Sequence, residues 1–96
     1  MDHGYAISYL ALGKGVPVLS ASGTQFGTSK EVLHVKEKNI FDGLVIETKG
    51  GAERFVDAPE IERIYERAVV TTLSDEDAAA LPKPHAGPVR RWLARR

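Results

Sequence analysis

The chain has no cysteine, and only one methionine and one tryptophan among its 96 residues. Without thiols it can form no disulfide, no thiolate metal site and no cysteine nucleophile. A reducing, cytoplasmic setting is the expectation. Long apolar runs are absent as well. The first run, residues 5–12, is far shorter than the roughly 20 apolar residues of a membrane-spanning helix. It follows Asp2 rather than a basic segment, so it does not read as a signal peptide. A chain of this length makes one domain and buries only roughly 60–65% of its unfolded surface. One modest core takes up most of the apolar side chains, which counts against a deep substrate pocket.

There is no net charge of either sign, but the charge is unevenly placed. Residues 1–82 carry eight basic and thirteen acidic side chains, a net of −5. Residues 83–96 carry Lys83, Arg90, Arg91, Arg95 and Arg96 and no acid, a net of +5. The sequence is an acidic body with a basic tail.

The stretch that organises the chain is residues 41–58, FDGLVIETKGGAERFVDA. Leu44, Val45 and Ile46 form one short apolar run, and Arg54, Phe55 and Val56 lead a second. Lys49, Gly50, Gly51 and Ala52 lie between them. Two such runs around a Gly-Gly loop predict a β-hairpin, because glycine reaches positive φ without steric cost. Upstream, residues 16–20 read as a short strand. Pro17 lacks a donor and predicts that this strand lies at a sheet edge or begins there. Residues 22–24 are turn chemistry, and residues 26–35 read as a longer strand. Val32, Leu33 and Val35 do not share one face of it, which predicts a bulge. Residues 36–39 read as a charged turn. Residues 1–15 carry weak strand alternation (Tyr5, Ile7, Tyr9), with a helical turn ending at Gly13 as the alternative.

Downstream, Pro59 ends the hairpin. Ile61, Ile64 and Tyr65 at i, i+3 and i+4 predict a helical or 3-10 turn over residues 60–67. Residues 69–73 (VVTTL) are β-branched and read as a strand. Ser74 is an N-cap residue ahead of three acids, which predicts a short helix ending at Pro82. Pro82, Pro84, Gly87 and Pro88 make residues 82–88 a linker. Residues 89–96 then place Val89, Trp92 and Leu93 on one face of a helical projection, among four arginines. Eight residues form no stable helix alone in water, so this segment needs a surface.

The expected fold is therefore all-β: a small SH3-like barrel of about five or six short strands with a short C-terminal helix and a basic tail. The expected division is an N-terminal segment (1–15), the barrel (16–81), and a Pro-rich linker with the amphipathic tail (82–96).

The order of these pieces resembles a PRC-barrel domain. Gly27-Thr28-Ser29-Lys30-Glu31-Val32-Leu33 resembles the opening strand of that family, and Gly43-Leu44-Val45-Ile46 its central strand. Val56-Asp57-Ala58-Pro59-Glu60-Ile61-Glu62-Arg63-Ile64 resembles its strand and I-x-x-I turn, and residues 69–73 its closing strand. The resemblance covers residues 16–73. Ser29 departs from the pattern, where the family places an apolar residue, and Asp57 and Ala58 replace a more apolar pair. The resemblance implies a β-barrel that binds other macromolecules and often pairs with itself, in the manner of stand-alone bacterial and archaeal members. It brings no catalytic residues. Through the barrel at the end of a ribosome maturation factor, it also implies an alternative: an RNA- or ribosome-associated accessory domain.

The residues offer little catalytic chemistry. His3, His34 and His85 lack metal-ligand spacing. Asp57, Glu60 and Glu62 cluster near Pro59 and could in principle act as an acid–base pair. As neighbours of Arg54, Arg63 and Arg67 they read better as a charged turn. Ser20, Ser22 and Ser29 have no nucleophile elbow, and Gly13-Lys14-Gly15 lacks phosphate-loop spacing. Phe26, Phe41, Phe55 and Tyr65 read as core rather than as a base-stacking platform, since the acidic body opposes nucleic acid. The basic tail fits three surfaces: RNA, an anionic membrane face, or the acidic body of this chain or a second copy. The expectation is a non-enzymatic protein-binding module, self-associating as a homodimer, with no cofactor. Its contact residues would be Phe41, Phe55 and Tyr65 on the barrel, where these are exposed, and Arg91, Trp92 and Arg95 in the tail.

Overall fold

A computed structural model describes residues 3–35 and 40–84. Six strands form one mixed sheet: β1 (Pro17–Leu19), β2 (Gln25–Val35), β3 (Ile40–Glu47), β4 (Glu53–Asp57), β5 (Ile61–Ile64) and β6 (Val69–Thr71). Their order is β4-β3-β2-β1-β6-β5. Neighbours are antiparallel except β1 and β6, which are parallel. One short helix, α1 (Asp75–Ala79), follows. The fold is all-β, as expected, but the sheet is open rather than a closed barrel, since β4 and β5 are its two edges. A 3-10 turn of three residues, Ala58–Glu60, joins these opposite edges. From Asp57 to Ile61 the chain spans at most about 14 Å, so the sheet must roll until its edges approach.

The organising hairpin forms as the sequence implies. Leu44 pairs with Val56 and Val45 with Phe55. Gly50 and Gly51 take φ of 91° and 87° in the loop, which Thr48 closes by donating its amide to the Ala52 carbonyl at 2.8 Å. β2 carries the irregularity its broken alternation predicted, with register shifts between Ser29 and Glu31 and between Leu33 and His34. Pro17 does begin its strand, yet β1 lies inside the sheet. The parallel ladder to β6 starts one residue later, at Val18, so the missing donor removes no bond on that side. The charged turn expected at residues 36–39 lies outside the described residues.

Residues 61–64 are a strand and not a helical turn. A register shift between Ile61 and Arg63 places one extra residue in β5. That bulge brings Ile61 and Ile64, three apart, to the same core, so strand residues acquire helical spacing. The only helical geometry nearby is the Ala58–Glu60 turn itself. Residues 3–7 run antiparallel along the end of β5: Ile7 donates to Ile64, Glu66 to Tyr5 and Arg67 to His3, at 2.9, 3.0 and 2.9 Å. Ser8 then caps a 3-10 turn, Tyr9–Ala11, so both readings of this region hold in part.

Nearly every strand gives one or two side chains to the core: Val18, Leu44, Ile46, Val56, Ile64 and Val69, joined by Leu73, Ala78 and Leu81 from the α1 region. Ser74 Oγ accepts from the Asp77 amide at 3.0 Å, the expected N-cap. The buried Ser20 hydroxyl donates to Asp75 Oδ1 at 2.5 Å, and Ser22 Oγ lies 3.1 Å from both Asp75 oxygens. This clasp ties the β1–β2 turn to α1.

Two stability predictions follow from this packing. A Cβ at Gly43 would strike the Phe55 ring and approach the Val56 carbonyl oxygen to 2.5 Å, whereas one at Gly13 would meet nothing within 4 Å. Gly43→Ala should cost about 1–3 kcal/mol in urea unfolding, and Gly13→Ala should stay near wild type. Equal effects at the two positions would refute the close approach at Gly43. Asp75→Ala removes the charged acceptor of a buried hydroxyl and should cost about 1.5–3 kcal/mol. Hydrogen exchange should quicken first in residues 74–81; unchanged exchange there would show that the clasp does not hold α1.

Candidate interaction surface

Beside the outer edge of β5 lies an open groove of about 300 Å³, lined by Ala6, Ile7, Phe41, Ala58, Ile64 and the residues of β5 that precede it. It exists because residues 3–7 follow β5 only as far as Ile64; at Ser8 the chain turns away into the 3-10 turn. Tyr9 in that turn stacks on Phe41, with ring centroids 4.6 Å apart and planes 9° from parallel. The His34 ring lies 5.8 Å from Tyr9. The large apolar side chains most open to water are Tyr5 (81% exposed), Leu10 (63%) and Ile40 (49%). Each adjoins in sequence a residue that lines the groove or stacks on Phe41. An open groove with exposed aliphatic and aromatic residues next to its lining in sequence is a candidate contact for another macromolecule.

The expected contact residues divide three ways. Phe41 is half-buried and lines the groove. Tyr65 is half-buried, bridges Ala6, and has the His3 ring 5.6 Å away. Phe55 cannot serve as an open contact, because only 1% of it is exposed. Its ring fills the space over Gly43, where there is no side chain to compete with it. Arg91, Trp92 and Arg95 lie outside the described residues. Ile7, Tyr9 and Leu10 were not singled out from the sequence, although the alternation of Tyr5, Ile7 and Tyr9 was a signal that this segment pairs and packs.

The side chains weighed for chemistry are occupied structurally. Glu60 Oε1 accepts from the Asp57 amide at 3.3 Å, and the two residues form a capping-box pair at the corner. Asp57 is buried rather than part of a solvated turn. Ser29 is buried too: its hydroxyl donates to the Gly13 carbonyl at 2.6 Å and accepts from the Val16 amide at 3.0 Å. A hydroxyl at this position therefore has a physical reason, which the expectation of an apolar residue missed. No helix among the described residues is long and apolar enough to cross a membrane. No protein-family model matches the chain, and no curated protein matches it either.

Proposed function

We propose that the chain is a non-enzymatic protein-interaction module of the PRC-barrel type, pairing with itself through its apolar end. The observation that carries this reading is the exposure of Tyr5, Leu10 and Ile40, each next in sequence to a residue of the Tyr9–Phe41 stack or of the groove beside β5. Such an end gains by being covered, since burial of apolar surface contributes roughly 25 cal/mol per Å² before the costs of association. Pairing by strand edges is a weaker route. Residues 3–7 lie along part of β5, and the Phe55 amide of β4 donates to the Pro82 carbonyl at 2.8 Å. Both edges are thus partly covered, which suppresses sheet-to-sheet association and favours contact through side chains.

Sedimentation equilibrium of the full chain tests this. The wild type should dimerise, and Leu10→Glu with Ile40→Glu should raise the dissociation constant by tenfold or more, on the order of 1.4 kcal/mol, with unchanged circular dichroism. A wild type that stays monomeric into the hundreds of micromolar range, or a double variant that dimerises equally well, would refute self-association through this end.

A further inference from the structure

The two edges of the sheet are covered in different ways. On β4 the cover comes from inside the body. Arg54 Nη1 donates to the Glu53 carbonyl at 2.7 Å, the Phe55 amide to the Pro82 carbonyl at 2.8 Å, and the Asp57 amide to Glu60 Oε1 at 3.3 Å. Pro82 follows Leu81, a core residue, so lifting this cover disturbs the core. On β5 the cover is residues 3–7. Their backbone bonds to Ile64, Glu66 and Arg67 are joined by the Tyr5 amide, which donates to Glu66 Oε1 at 3.1 Å. None of residues 3–17 is buried; Val18 is the first buried residue among those described. Ile7, Tyr9 and Leu12 are only partly buried against the core. A segment held by edge bonds and partial packing opens at a lower free energy than the core strands.

The hinge of this segment is short and bounded. Downstream, Ser29 fixes the chain on β2: its hydroxyl holds the Gly13 carbonyl and the Val16 amide, and its carbonyl accepts from the Gly15 amide at 2.8 Å. Between Ile7 and Gly13, residues 8–12 join no strand. Extended, these five residues span at most about 18 Å. Within one chain they turn away at Ser8 and return to β2, which leaves the groove beside β5 open. A segment arriving from a second copy returns to that copy's β2 instead, and can run on along β5.

We propose that two copies of the chain exchange residues 3–7, each segment lying on β5 of the other copy in the register seen within one chain, with residues 8–10 continuing over the groove. Exchange rests on the self-association proposed above and supplies its geometry. The partner's Ala6 and the partner's Ile7 then line the groove with Phe41 and Ile64. Neither copy needs a bare strand edge, since β5 is covered before and after. Exchange of an identical element is a low-cost route to a dimer, because each bond broken within a chain is remade between chains. The net gain is the cover added over the groove.

The chain has no cysteine, so introduced cysteines report on the exchange directly. Ala6 and Tyr65 oppose each other in an antiparallel bridge. Hydrogen bonds at Ile7–Ile64 and Tyr5–Glu66 flank it, so it is a non-hydrogen-bonded pair with Cα atoms about 4.5 Å apart, within disulfide range. Full-length Ala6→Cys and Tyr65→Cys chains, mixed, incubated at high concentration and oxidised, should form a mixed disulfide. Its yield should exceed that of Ala6→Cys with Lys49→Cys, an exposed loop position, by about tenfold or more. The dimer fraction of the Ala6→Cys/Tyr65→Cys double variant should run as a covalent dimer when denatured without reductant. Tyr5→Cys with Glu66→Cys, both at exposed positions, should give the same result and guards against misfolding at Tyr65. A mixed disulfide no more abundant than the Lys49 control would overturn exchange. So would a dimer fraction that separates, when denatured, into monomers with internal disulfides; self-association would then stand without exchange. Chains that stay monomeric at every concentration would overturn both.

Discussion

The tight corner at Ala58–Glu60 is the constraint on which the remaining architecture depends. It connects strands that lie at opposite edges of a six-stranded sheet. A chain of that length cannot cross a flat sheet of this width, whose strands are spaced about 4.8 Å apart. The sheet must roll, and rolling encloses Leu44, Ile46 and Val56 with Val18, Val69 and Ile64 in one core. The corner is fixed locally. Pro59 supplies a restricted φ, and Glu60 satisfies the Asp57 amide where the strand ladder ends. Rolling also decides where the surface is open. The two edges meet at the corner without pairing, and the groove beside β5 opens where the N-terminal segment leaves that strand.

Buried hydroxyls do the joining that a larger core would otherwise do. Ser29 ties the chain before β1 to β2, Ser20 ties the β1–β2 turn to Asp75, and Thr71 Oγ1 donates to the Leu19 carbonyl at 2.9 Å. Ser29 and Ser20 hold loops against the sheet, Thr71 links β6 to β1, and each has its partners, as burial of a polar group requires. A small domain with little apolar surface to spare gains from such directed contacts, because a hydrogen bond to a charged acceptor outweighs a neutral one.

Much of the sheet was legible in the sequence. The β3–β4 hairpin was readable because the apolar runs and the Gly-Gly loop agree, and local agreement of pattern and turn chemistry is what specifies a hairpin. The β2 irregularity and the Ser74 cap were readable for the same reason. The misread elements are those where one extra residue changes the apparent period. A bulge in β5 gives Ile61 and Ile64 helical spacing, and nothing in the sequence separates that from a turn of helix. That the sheet stays open, where a barrel was expected, was not legible either, since it turns on whether the distant strands β4 and β5 pair. The surface was less legible than the fold. Phe41 lines the groove, but the burial of Phe55 could not be read, because an aromatic over a glycine two positions along the facing strand looks in sequence like any other aromatic.

The same register explains why the body carries its acids where it does. With Leu44, Ile46 and Val56 committed inward, the intervening positions must face outward. A β3–β4 ribbon with only charged residues at those positions would be soluble and inert. Here the ends are Glu47 and Glu53, while the middle is Val45 and Phe55. This division of the β3–β4 ribbon follows from strand register, since a slip of one residue would exchange the inward and outward sets.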